Sequence, residues 1–170
     1  EKTLRAMREG GIWDHIGFGF HRYTVDDAWR VPHFEKMLYD QALLAMAYTE
    51  AYQATGKEEY GRAAREIFSY MGREMKSPGG GFYSAEDADS QGQEGKFYLW
   101  TESEIRSVLD WKEAEVVIKA YNLTKKGNFP EEPGENILYR AQSLPRIASE
   151  LKLSESVFEK RLEEARRKLF

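Results

Sequence analysis

Two long segments of helical periodicity, separated by only three residues, constrain this chain most. From about His33 or Phe34 to Ala54, Phe34, Met37, Leu38, Leu44, Met46, Tyr48 and Tyr52 recur around a broad apolar surface. Ala42, Ala45 and Ala47 thicken it. From about Glu58 to Met75, the residues Tyr60, Ala64, Ile67, Phe68, Met71 and Met75 form a narrower stripe. Arg62, Arg65, Glu66, Arg73 and Glu74 make its wet face. Thr55-Gly56-Lys57 joins the two, with Gly56 placed as a left-handed cap. The broad apolar surface predicts an inner, buried helix and the narrower stripe an outer one. Together they form an antiparallel hairpin with arms roughly 30 Å long.

The flanks are of a different kind. Thr3 to Glu9 reads as the last turns of a helix, stopped by Gly10-Gly11. Ile12 to Pro32 carries Trp13, Phe18, Phe20, Tyr23 and Trp29 without steady period, which predicts a long, structured aromatic loop. Beyond Pro78 and Gly79-Gly80-Gly81, the runs Phe82–Ser84 and Lys96–Trp100 predict two short strands joined by an acidic turn. Thr101-x-x-Glu104 is a capping box opening a helix to about Leu109, and another helix is predicted over 112–121. Ser143 and Ser154 cap two more, with Pro145 in the first turn of the earlier one. The last helix runs to Phe170 without a stop signal, so a longer chain is expected to continue from it. The fold class is all-α with a small β-hairpin insertion, in a single partial domain over 1–170.

Composition narrows the function classes. The chain is 41% hydrophobic and 32% charged with net charge −4, as expected of a soluble globular domain. Basic residues alternate with acids on helix faces, so no nucleic-acid surface is expected. No apolar run approaches the ~20 residues that cross a bilayer, and a cytoplasmic location is the default expectation. Without cysteine there is no thiol redox chemistry, disulfide or thiolate–metal site in the chain.

The hairpin geometry locates a candidate site. The loop before its first helix and the segment after its second lie at the same end, whereas the other end has only the turn at Gly56. His21, Arg22, His33, Glu35 and Asp40 gather there, with Glu86, Asp87 and Asp89 from the acidic turn. Trp13, Asp14, Phe20, Tyr23, Trp29, Tyr83 and Trp100 are the candidate substrate-binding residues. Acid/base groups beside flat aromatic faces suit a carbohydrate, whose hydroxyls need polar partners and whose C–H faces stack on rings. No metal is expected: Asp87-x-Asp89-x-Gln91-Gly92 opens like a calcium loop, but its twelfth position is Tyr98 rather than Glu. No cofactor motif is present.

Three blocks carry a family resemblance. They are Gly10-Gly11-Ile12-Trp13-Asp14-His15-Ile16-Gly17-Phe18-Gly19-Phe20-His21-Arg22-Tyr23, then Trp29-Arg30-Val31-Pro32-His33-Phe34-Glu35-Lys36-Met37-Leu38-Tyr39-Asp40-Gln41, then Phe82-Tyr83-Ser84-Ala85-Glu86-Asp87-Ala88-Asp89-Ser90. In this order they resemble the thioredoxin-domain-containing proteins that include the spermatogenesis-associated member and the bacterial YyaL proteins. One departure is Phe18, where a glycine-richer run is expected. The resemblance implies an N-terminal thioredoxin-like domain, absent here, joined to an (α/α)6 toroid. That toroid is similar to N-acylglucosamine 2-epimerases and six-hairpin glycosidases, and this chain would form its opening part.

Two function classes follow. In a carbohydrate-active toroid of the epimerase kind, His21 or His33 moves a proton next to a carbonyl, Glu35 or Asp40 orients it, and Arg22 steadies the enediolate. In a hydrolase version, two of Asp14, Glu86, Asp87 and Asp89 act as acid and base. The other class is a non-catalytic binding or scaffold domain serving the attached thioredoxin-like domain. Helix faces meant for later hairpins predict self-association of the chain.

Overall fold

A computed structural model of the chain describes all of residues 1–170, divided into two compact units, 1–97 and 98–170. The structure is largely helical, with seven α-helices and three two-residue strand pairs.

In the first unit, α1 (Lys2–Glu9) leads into the aromatic segment. There β1 (Tyr23–Thr24) pairs antiparallel with β2 (Pro32–His33). Next, β3 (Lys36–Met37) runs straight into α2 (Leu38–Thr55), and α3 (Glu58–Tyr70) follows the turn. Gly56 takes φ 67°, the left-handed cap that its position predicts. The second arm reaches Met75 as expected, but its last turn, Met71–Met75, widens into a π-helix. Helix α2 begins at Leu38, not at His33 or Phe34. The backbone of residues 32–37 is already committed to strand pairing, to β1 on one side and to β4 (Ala85–Glu86) on the other.

The core of this unit sits between α2, α3 and the aromatic loop. It holds Ile12, Trp13, Phe20, Ala45, Tyr48, Tyr60, Ala63, Ala64 and Ile67. Trp13 meets Phe20 edge-on at 4.6 Å, and Phe20 stacks on Tyr48 at 5.7 Å. Gln41, fully buried, accepts from Phe20 N and donates to Phe20 O, so it serves as a strand partner inside the core. Phe18, at the resemblance's point of departure, takes φ 70°, a left-handed conformation that costs a non-glycine residue about 1 kcal/mol or more. The expected inner character of α2 is not met. Only Gln41, Ala45 and Tyr48 are buried on it, while Tyr39, Leu43 and Met46 are 49, 63 and 59% exposed.

The expected hairpin between Phe82–Ser84 and Lys96–Trp100 is replaced by other pairings. Phe82 bridges Lys76, Ala85–Glu86 pairs with β3, and Trp100 lies in the second unit, bridged to Asn136. The acidic turn itself is the hairpin. In it, β5 (Asp89–Ser90) pairs with β6 (Gln93–Glu94) around Gln91 and Gly92, both at positive φ as a tight hairpin turn requires. Gly95 closes it at φ 73°, where an added Cβ would come within 2.4 Å of the Phe34 ring. Gly95→Ala should therefore lower stability by about 1–3 kcal/mol, read as a fall in thermal midpoint. A change of under about 0.5 kcal/mol would contradict this close approach.

The second unit comprises α4 (Glu102–Val108), α5 (Trp111–Ala120), α6 (Leu144–Glu150) and α7 (Glu155–Leu169). The capping box at Thr101 and the cap at Ser154 form as their sequence predicts, but Ser143 makes no side-chain cap. Asn136, fully buried, accepts from Thr124 N and donates to the Trp100 and Thr124 carbonyls, holding the loop between α5 and α6.

Candidate functional site

Backbone pairing brings the three unusual segments together within the first unit. Arg22 N donates to Glu35 O, Leu38 N to Ser84 O, and Phe34 N to Glu94 Oε1 at 3.4 Å. From 32 to 37 burial alternates strictly, with Pro32, Phe34 and Lys36 inward and His33, Glu35 and Met37 half-buried. A strand of period two thus sends two functional side chains outward and a lysine into the interior.

The outward set centres on His33. Its Nδ1 lies 2.6 Å from Glu94 Oε1 and its Nε2 lies 3.6 Å from Glu35 Oε2. Glu35 Oε2 in turn accepts from Arg22 Nη1 at 3.0 Å. The imidazole stacks on Tyr23 at 5.0 Å, directly opposite it in the β1–β2 register. A proton on Nδ1 donates to Glu94, which leaves Nε2 as the basic edge, and His33 is 28% exposed. Glu35 holds the Arg22 guanidinium above its ordinary range, with Tyr39 contributing. Asp40, in the first turn of α2, is pushed up by burial against the opposing pull of Arg22. Its Oδ2 is buried without a hydrogen-bond partner.

The inward set surrounds Lys36, which is 2% exposed. Its ammonium donates to Asp14 Oδ2 at 2.7 Å and Phe18 O at 2.9 Å, and lies 4.6 Å from the Tyr70 ring centre. Asp14 Oδ1 also accepts from Ile16 N and Gly17 N. Burial works to raise the Asp14 carboxyl, but Lys36 prevails and holds it below its ordinary range. Tyr70 donates to Glu86 at 2.5 Å; burial first, then that carboxylate, push its hydroxyl upward. His21 is buried, its Nδ1 donating to Phe34 O at 2.9 Å, and burial with the nearby Lys36 depresses it to about 3.

The expected site residues therefore divide. Arg22, Tyr23, His33 and Glu35 come together in the outward set, with Asp40 close to Arg22. Trp13, Asp14, Phe20 and His21 are core residues, with no face or basic edge open to a ligand, and Trp29 is half-buried against them. Burial of their apolar rings outweighs any display at the surface. Asp87 and Asp89 are exposed, and Asp87 accepts from Asp89 N. Tyr83 is 54% exposed, and Trp100 belongs to the second unit. Sequence reasoning missed Glu94, Lys36 and Tyr39. Glu94 carries no signal beyond its place between Gly92 and Gly95, since its partner lies some sixty residues earlier. No group of three or more potential metal ligands gathers, and no helix is long and apolar enough to cross a membrane.

No family model matches the chain. It is 42% identical over 190 aligned residues to spermatogenesis-associated protein 20 of Homo sapiens, covering 99% of this chain and 24% of that protein. The Mus musculus protein of the same name is 41% identical, covering 86% and 21%. Homologues of this chain thus include proteins named spermatogenesis-associated protein 20. An uncharacterised Caenorhabditis elegans protein is 34% identical, covering 98% of this chain and 26% of its own length. The chain thus spans about a quarter of the length of the curated relatives it matches. Their names carry no reaction, substrate or partner.

Proposed function

We propose that the first unit carries a proton-transfer site for a carbohydrate, centred on His33, within the opening part of an (α/α)6 toroid. The observation that supports it is the His33 arrangement: Nδ1 on Glu94, Nε2 toward Glu35 and solvent, and Arg22 alongside. In this reading, His33 Nε2 takes the proton from a carbon next to a carbonyl, and the C–H electron pair passes to the carbonyl oxygen. Arg22 steadies the resulting enediolate, and His33 returns the proton from its own face to one or other carbon of the enediolate. Glu94, rather than Glu35 or Asp40, holds the imidazole in the required tautomer. Tyr23, stacked under His33, offers a flat edge to the sugar. The hydrolase version is less well supported, because Asp14 is tied to Lys36 and Glu86 to Tyr70.

The test is incubation of the longest natural form of the protein with aldoses, ketoses and N-acyl hexosamines in D2O. Mass spectrometry then follows deuterium at C–H positions. Incorporation that falls about 100-fold or more in His33→Ala, and survives in a variant at an exposed residue such as Asp87→Asn, supports the reading. Failure of every sugar to exchange would overturn it. The second reading, a scaffold serving an attached thioredoxin-like domain, draws on the burial of Trp13, Phe20 and His21, which fill the interior with a packed plug. Absence of exchange, with an attached domain that loses stability when this chain is removed, would favour it. A cytoplasmic location belongs with either proposal.

A further inference from the structure

The buried imidazole of His21 takes no part in the chemistry at His33, yet one residue, Phe34, links the two. His21 Nδ1 donates to Phe34 O at 2.9 Å, and Phe34 N donates to Glu94 Oε1 at 3.4 Å. The same Glu94 oxygen lies 2.6 Å from His33 Nδ1. Both main-chain polar atoms of Phe34 are thereby bonded, one to an interior side chain and one to the acidic hairpin. Its buried ring meets the His21 imidazole edge-on at 5.2 Å. Gly95 approaches that ring so closely that a Cβ would fall within 2.4 Å of it, and Gly95 follows Glu94 directly. Burial, with Lys36 beside it, depresses His21 to about 3. At neutral pH its ring therefore carries a single proton, which Phe34 O holds on Nδ1.

We propose that His21 is a positioning residue for His33: acting through Phe34, it sets the Glu94 carboxylate against Nδ1 and so, on the reading of His33 as the base, decides which of its nitrogens is left basic. A side chain that only filled space beside Phe34 would be served by leucine, without the desolvation of two ring nitrogens. An imidazole stands there instead, bonded to the residue that meets the hairpin through both its main-chain N–H and its ring. With the carbonyl fixed inward, the Phe34 backbone keeps its N–H on Glu94. Without that bond the carboxylate, 46% exposed, has only His33 to hold it. Once Glu94 swings free, His33 can adopt the tautomer that free imidazole prefers, with the proton on Nε2. That form has no basic edge toward a substrate, because its bare nitrogen is the one facing the hairpin.

Nitrogen NMR tests this on the longest natural form of the protein, labelled with 15N only at histidine and observed where His33 is neutral. Protonated and bare imidazole nitrogens resonate far apart. Signals of His33 are those missing from His33→Gln, and signals of His21 those missing from His21→Asn. Wild-type His33 should carry its proton on Nδ1, and His21→Leu should move most of the population to Nε2–H. His21→Asn should restore the wild-type state, since its amide nitrogen takes the place of Nδ1 and can donate to Phe34 O. Coupling runs both ways, so Glu94→Ala, at an exposed side chain, should speed exchange of the His21 Nδ1 proton with water about fivefold. Circular dichroism checks that each variant keeps the wild-type helix content. An unchanged His33 tautomer in folded His21→Leu would overturn the proposal. A His21 proton indifferent to Glu94→Ala would overturn it too, and that result does not depend on whether His21→Leu folds. No sugar enters these measurements, so loss of the positioning role and loss of the proposed proton transfer are read separately.

Discussion

Lys36→Met will lower the stability of the first unit by about 3–5 kcal/mol, although methionine nearly matches the lysine stem in length. The loss comes from what stays behind. Asp14, buried and bonded to Ile16 N and Gly17 N, would keep its charge with no cation, and Phe18 O would lose its donor. Leaving one member of a buried ion pair uncompensated costs far more than the intact pair contributes, because its desolvation is no longer offset. At a urea slope of about 2 kcal/mol/M, the unfolding midpoint should fall by roughly 2 M. Amide exchange at Ile16 and Gly17 would report the same loss locally. Asp14→Asn combined with Lys36→Met should recover part of it, since neither charge then remains. If Lys36→Met stays within about 1 kcal/mol of wild type, the ammonium does not organise the loop.

Stability will also fall steadily as pH drops from about 6.5, well before carboxylates protonate. Its source is His21, buried and depressed from 6.5 to about 3 by desolvation and by Lys36. Between those two values the unfolded chain holds a proton on this imidazole and the folded chain does not. Unfolding therefore takes up protons, and stability rises with pH across the window. The contribution is complete above the unfolded value and is lost as pH falls through the folded one. Its full size is on the order of 5 kcal/mol. Asp14, also depressed, acts in the same direction, but only below its ordinary value of 3.8. Urea midpoints at pH 4, 5, 6 and 7 separate the two. His21→Gln can still donate to Phe34 O but does not titrate, so its profile should be nearly flat between pH 4.5 and 6.5. Equal slopes for the two proteins would remove His21 as the cause.

The helical hairpin was legible because its signals are local. Periodicity fixed both arms, Gly56 fixed the turn, and Thr101-x-x-Glu104 announced its own cap. Convergence of the three segments followed from the hairpin returning to its start. The strand at 32–37 was hidden because its inward positions are Pro32, Phe34 and Lys36, and a lysine among them breaks the apolar alternation that marks a half-buried strand. Its burial is intelligible only once Asp14 and Tyr70, 22 and 34 positions away, are seen around it. The same limit applies to Glu94, which meets His33 only through tertiary folding. The sequence also could not say which apolar face of α2 the core would use. Gln41 decides this, because its amide must turn inward to serve Phe20.

The strict alternation at 32–37 has a consequence for how this stretch can vary. Each residue there is answerable either to the interior or to the surface, with none neutral. A single-residue insertion or deletion between Pro32 and Met37 would exchange the two sets, turning Glu35 toward the apolar side and Lys36 out to water. The buried anchor and the exposed histidine would be lost in one event. Point substitutions here can be graded, but changes of length cannot. Across natural variants, this stretch should keep its length.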